Sequence, residues 1–174
     1  MGILFRCRRF FQRDTLKLLY YSFLFPYFSY CLEIWGFTFK TYLEPLCILQ
    51  KKIVRIITSS AYYEHTAKLF ADLEILNVSK LASFKLCLFL YKYENKLLPE
   101  SFNTMFVRNH TIHRYQTRQL NCFHLPVIRN DYIKRSIKYN AIVTYNKFMI
   151  LFDYTLKYSR FKKWLKSFLL VLEK

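Results

Sequence analysis

The sequence predicts a mostly α fold, a bundle of about five to six helices with a long irregular basic loop near 107–130. Three observations support this. Apolar residues recur at helical spacing through most of the chain. Hydrophobic residues are 53% and charged residues 22% of the 174, a globular balance with enough mass for a core. There is no low-complexity tract, Gly/Ser linker or solenoid-period repeat to suggest another architecture.

Asp14 is a candidate N-cap for a helix from about Thr15. Pro26 should kink or split that helix, and Gly36 is a candidate C-terminal cap after Trp35. A second helix should run from Thr41 to about Thr58, tolerating Pro45 in its first turns and ending at Ser59-Ser60. Leu49, Ile53, Ile56 and Ile57 form its apolar arc, and Lys51, Lys52 and Arg55 its basic one. A short helix should cover Thr66–Leu73. Ser79 should cap a strongly periodic helix in which Leu81, Phe84, Leu88 and Tyr91 share a stripe, closed by Leu97-Leu98-Pro99. Periodicity disappears from Val107 to Asn130, where a short strand fits around Leu120–Leu125. Asp131–Phe148 reads as helix again. Ser159 should cap a final helix with Phe161, Trp164, Leu165, Phe168 and Leu169 as its stripe.

Much familiar chemistry is missing. With two glycines the chain has neither a phosphate-binding P-loop nor a dinucleotide fingerprint. Asp14, Asp72, Asp131 and Asp153 stand singly, so no two-metal site is visible. The sequence calls for no cofactor, and this chain alone reads as no enzyme. His110, His113, Cys122 and His124 are candidate zinc ligands by type, but their spacing matches no zinc module. Five widely spaced cysteines without a C-x-x-C pair suit a reducing, intracellular compartment. The start MGILFRCRRFFQR has charges breaking its apolar run, a poor signal peptide. The uncharged stretch 18–32 is interrupted by Pro26 and falls short of the ~20 residues that span a bilayer, so no transmembrane segment is expected.

Charge is the strongest functional signal. Lys plus Arg number 28 against 11 Asp plus Glu, a net +17. Such an excess repels itself unless an anionic partner offsets it. Nucleic acid is the first candidate, and an anionic membrane surface or a protein partner the second. Aromatic residues, 20% of the chain, interleave with the cations and suit stacking on bases. A gene rich in A/T codons would produce the same bias.

The ordered motifs resemble the region following the palm in reverse transcriptases of non-LTR retrotransposons, the jockey-like group especially. The resemblance rests on Leu19, Tyr20 or Tyr21, Ser22, Pro26, Tyr30-Cys31 and Trp35-Gly36. It continues through Leu49, Gln50, Lys51, Arg55 and Ile57, then His65-Thr66, Leu69-Phe70 and Ile75-Leu76. Tyr91-Lys92-Tyr93, Leu98-Pro99 and the loop residues His113, Tyr115, Thr117 and Arg118 complete it. The family's closing Gly and Trp-Asn-x-Leu-Pro are replaced here by Asn140-Ala141 and Tyr145-Asn146-Lys147-Phe148.

The resemblance implies a thumb-like helical region over 1–99 and a C-terminal helical region with the basic loop over 100–174. It implies a truncated polymerase fragment whose catalytic palm and fingers lie elsewhere and are themselves potential partners. Its ligand would be RNA or an RNA/DNA duplex, held by non-specific backbone contacts, and its location nuclear. Two cationic faces would serve. One is Lys51, Lys52 and Arg55. The other is Arg108, Arg114, Arg118, Arg129, Lys134, Arg135 and Lys138, with Asp131 as the single acid among them. A small zinc-binding protein is a further alternative.

Overall fold

The computed structural model describes residues 2–112, 115, 117–148 and 152–171. It is mostly helical, and no strand is present among these residues. The order is α1 (Gly2–Cys7), α2 (Arg13–Leu19), a π-helical turn (Tyr20–Leu24), α3 (Phe25–Ser29), α4 (Leu32–Trp35), α5 (Lys40–Thr58), α6 (Thr66–Leu73) and α7 (Val78–Glu94). A 3₁₀ turn (Glu100–Phe102) follows, then α8 (Asn109–Ile112), α9 (Asp131–Lys134), α10 (Ile137–Phe148) and α11 (Tyr158–Val171). No helix is long and apolar enough to cross a membrane among the described residues.

The helix predicted from Thr15 begins at Arg13, with Gln12 as its flanking residue and Asp14 in the first turn, where a carboxylate faces the positive helix end. Pro26 does not break the path. Phe25 N–H reaches back to Tyr20 O, five residues away, and this widened turn absorbs the hydrogen bond that proline cannot donate. The break comes later, at Cys31, which adopts φ 46°. Gly36 ends α4 with φ −67°, so left-handed geometry is not its purpose. A Cβ there would lie 2.6 Å from Ala82 Cβ, so glycine lets α4 approach α7.

α7 is the central helix. Val78, Leu81, Ala82, Phe84, Leu86, Cys87, Leu88, Leu90 and Tyr91 are all buried, so apolar residues cover most of its circumference, with Lys85 and Lys92 on the remaining strip. α3, α4, α5, α10 and α11 pack around it. One face joins the main core with Leu16, Tyr20, Leu32, Ile53, Ile57 and Leu73. Phe161, Leu165 and Leu169 of α11 close that core, and Tyr91 stacks on Phe161 with centroids 4.7 Å apart. The other face, Leu86 and Leu90, meets Phe106, Phe123, Ala141, Ile142 and Tyr145 in a second core. The first 99 residues and the remainder thus meet along α7.

The cap of α7 differs from the sequence reading. Asn77 accepts from Lys80 N–H at 2.9 Å, so the helix starts before Ser79. A second donor of this first turn, Val78 N–H, is satisfied from afar by Gln50 Oε1 at 2.9 Å. Gln50 Nε2 donates to Leu76 O at 3.0 Å and to the Tyr20 hydroxyl at 3.1 Å. Only this amide orientation satisfies both an acceptor carbonyl and a donor N–H. Gln50 therefore occupies the core position of α5 with 0% exposure, while Leu49, expected on the apolar arc, lies at the surface with 36%.

Among its described residues, the 107–130 stretch is irregular apart from the single helical turn α8, and it is anchored. Arg108 and Phe123 form an isolated antiparallel bridge in place of the strand expected around 120–125. Asn146 clamps the Phe123 backbone, accepting from its N–H and donating to its C=O, both at 2.9 Å. Asp131–Phe148 is split into α9 and α10 by a turn at Arg135-Ser136.

Gln50→Leu should strand two buried backbone groups and cost about 3 kcal/mol or more of unfolding free energy. Leu49→Ala should cost under about 1 kcal/mol; urea unfolding of the two variants measures the difference. A second expectation concerns pH. Burial pushes the Cys87 thiol up to about 12 from its ordinary 9.0. The fold thus favours the neutral thiol, so its contribution is complete below pH 9 and is lost as pH climbs towards 12. Thermal melts should fall over that range, and Cys87→Ala should flatten the first part of the decline.

Candidate nucleic-acid interface

α5 is locked in place by one face and presents cations on the other. Ile53, Val54 and Ile57 are buried beside Gln50. Lys51 and Lys52 are exposed and Arg55 is half-buried. The helix ends at Ser59, with φ 56° and with Ser60 N–H returning to Arg55 O. Arg55 then closes the following turn, donating from Nε and Nη2 to Glu64 O at 3.1 and 2.9 Å. This leaves Nη1 without a protein partner among the described residues.

α1 packs against α5 and brings Arg8 to Lys52 and Arg55. These three cations line one groove with Phe5, Ile56, Ser60 and Tyr62, enclosing about 380 Å³. The Arg8 guanidinium sits over the Phe5 ring, 5.4 Å from its centroid. Lys51 faces a neighbouring groove lined by Cys47, Gln50, Thr66, Ala67, Phe70, Asn77 and Ser79. No carboxylate lines either groove. The ion pairs formed among the described residues are Arg108–Glu94 and Lys134–Asp131, so the cations of α5 are not neutralised by a carboxylate. Arg8, Phe5 and Tyr62 were not singled out from sequence. The alternation of Arg and Phe in 5–11 was the available signal, and only the fold shows which of them meet α5.

The second set is less uniform than its sequence suggests. Arg118, Arg129 and Lys138 are exposed. Lys134 is paired with Asp131 at 2.9 Å, which lowers the Asp131 carboxyl by hydrogen bond and charge. The Arg135 guanidinium lies 3.6 Å from the Phe39 centroid and joins α9 to the start of α5. Arg114 lies outside the described residues. Arg108 is not a free surface cation. Its Nη2 donates to both Glu94 oxygens at 2.8 and 2.9 Å, and its Nη1 to Asn121 O at 2.9 Å. Its guanidinium also sits over Phe123 and Tyr145. Burial works against its charge, but the Tyr145 hydroxyl and the Glu94 carboxylate outweigh this and raise its pKa.

Of the zinc-capable residues, His113 lies outside the described residues. His110, Cys122 and His124 are tied through their backbones: His110 N–H to Leu120 O, Asn109 N–H to Cys122 O, and His124 N–H to Val107 O. No three His, Cys, Asp or Glu side chains converge to hold a metal among the described residues.

No protein-family model, curated protein or solved structure matches the chain.

Arg108→Gln should lower stability by about 2 kcal/mol by leaving Glu94 half-buried without its partner. It should leave the salt dependence of any nucleic-acid binding unchanged, a combination that urea unfolding and binding titrations at several salt concentrations test together.

Proposed function

We propose that this chain is a helical module that grips nucleic acid by its backbone, of the kind that a post-palm thumb of a non-LTR reverse transcriptase supplies. The observation carrying this reading is the groove where Arg8, Lys52 and Arg55 converge with no carboxylate, on a helix whose opposite face is fixed in the core. Cations on a rigid helix hold phosphates without reading sequence. The net +17 and the resemblance of the ordered motifs support the same reading. The ligand is RNA or an RNA/DNA duplex, and chemistry, if the parent polymerase is assembled, belongs to its palm. Arg118, Arg129, Arg135 and Lys138 extend the contact area as secondary cations, whereas Lys134 is neutralised by Asp131.

A membrane or protein-partner reading has its own observation, at the N-terminal end. Ile3, Phe11 and Phe23 are exposed and line an apolar groove of about 310 Å³ between α1 and the π-helical turn. α11 does not add to it, because Phe161, Leu165 and Leu169 are turned into the core. Binding to anionic vesicles stronger than to RNA would favour that reading.

Lys51→Gln with Lys52→Gln should flatten the plot of log affinity against log salt by up to about two, at ~0.9 per phosphate contact on a duplex. Affinity should fall alike across sequences, with the fold kept. Titration of the folded double variant with RNA and with RNA/DNA duplex checks this, and an unchanged slope refutes it.

A further inference from the structure

We infer that the groove between α1 and the C-terminal end of α5 receives one unpaired nucleotide, its base on Tyr62 and its phosphate among Arg8, Lys52 and Arg55. This rests on the nucleic-acid reading above and goes beyond it, because backbone grip alone requires cations and no exposed ring.

The groove has both halves of a nucleotide site. Its cations come from two places, Arg8 from the turn that follows α1 and Lys52 and Arg55 from α5. Its aromatic side has two large exposed rings, Phe5 at 52% and Tyr62 at 66%. Phe5 has Arg8 over it, so it supports the guanidinium. Tyr62 meets Tyr63 edge to face, with centroids 5.0 Å apart and planes at 89°. That contact leaves most of its surface open to a ligand.

Position as well as exposure marks Tyr62. The turn that carries it is held by the Arg55–Glu64 hydrogen bonds and by the left-handed Ser59. The Ser60 hydroxyl is tied to Thr58 at 2.7 Å. The tyrosine therefore stands on a fastened turn, and the side chain that fastens it is itself one of the groove cations.

The chemistry of the occupant follows from the lining. About 380 Å³ lies within the range of small-molecule sites. Rings with clustered cations and no acid suit a flat, polar, anionic ligand, and a base with its phosphate is such a ligand. A base paired within a duplex keeps both faces stacked on its neighbours and cannot lie on Tyr62. The site therefore selects a single strand, or a frayed or overhanging end, over a blunt duplex.

Fluorescence anisotropy with a labelled single-stranded oligonucleotide and with a blunt duplex of the same sequence tests this in the full chain. Tyr62→Ala should weaken single-strand binding about ten-fold or more, the loss expected for one stacked base, and duplex binding less than about two-fold. Tyr62→Phe should keep wild-type affinity, because stacking needs the ring and not the hydroxyl. Circular dichroism melts confirm that the exposed substitution leaves folding intact, and Phe5→Ala gives an independent second variant from the other wall.

Equal losses on single strand and duplex, or no loss in a folded Tyr62→Ala, overturn the unpaired-nucleotide site. If binding of both ligands nevertheless stays salt-sensitive, the backbone-grip reading stands. Wild-type chain that binds neither ligand at low salt overturns both.

Discussion

The fold turns on one buried amide. Gln50 reaches from α5 to three separate places: the hydroxyl of Tyr20 in the π-helical turn, the carbonyl of Leu76 and the first N–H of α7. Each is buried, and each would lose water on folding without another donor or acceptor at hand. Apolar contacts can slide, since they are not directional, but three hydrogen bonds from one planar group cannot. Gln50 thereby sets the register between α5, the N-terminal helices and α7. The side effect is electronic: burial pushes the Tyr20 hydroxyl up to about 12, and the Gln50 hydrogen bond opposes that shift. Everything on the outer face of α5, the cationic groove included, inherits its position from this inner attachment.

The same residue shows where sequence reasoning stops. Hydrophobicity ranks Leu49 for the core and Gln50 for the surface, and the structure reverses them. The polar groups that make Gln50 favourable inside come from distant segments and leave no local trace. Where the deciding forces are local, the reading holds. Thr66–Leu73 is reproduced residue for residue, and α5 ends where Ser59-Ser60 breaks the periodicity. Pro26 lay between these cases: its missing donor was evident, but the π-helical turn that accommodates it depends on Tyr20 being anchored. For the candidate site, Lys52 and Arg55 were visible as a helix face. Arg8 and Tyr62 were not, because nothing local says that α1 returns to the far end of α5. Arg108 looked like another loop cation because Glu94, Phe123 and Tyr145 are remote in sequence.

The aromatic excess also takes on a second meaning. A chain with few carboxylates has few counter-ions of its own, and ring faces provide a weak substitute. Arg135 over Phe39, Arg108 over Phe123 and Tyr145, Lys92 over Tyr158 and Lys147 over Phe148 are all of this kind. The abundant rings are therefore partly an internal device that fixes cations, mostly ones remote in sequence. Arg135, Lys92 and Lys147, held by rings with no carboxylate partner among the described residues, keep their charge, whereas Arg108 is also paired with Glu94 and Lys134 with Asp131. The molecule separates cations that hold it together from cations that it displays.

A helix buried around most of its circumference imposes an order on synthesis. When α7 leaves the ribosome, α5 and the helices before it are available to cover its main-core face. Leu86 and Leu90 have no such cover, because Phe106, Phe123, Ala141, Ile142 and Tyr145 follow them in the chain and emerge later. Phe161, Leu165 and Leu169, which complete the other face, arrive last. The nascent chain therefore carries a sticky surface until residues as far on as Leu169 emerge, several seconds at ordinary elongation rates of about 5–20 residues per second. Over that interval its fate is a contest between chaperone capture and aggregation, decided before the finished fold exists.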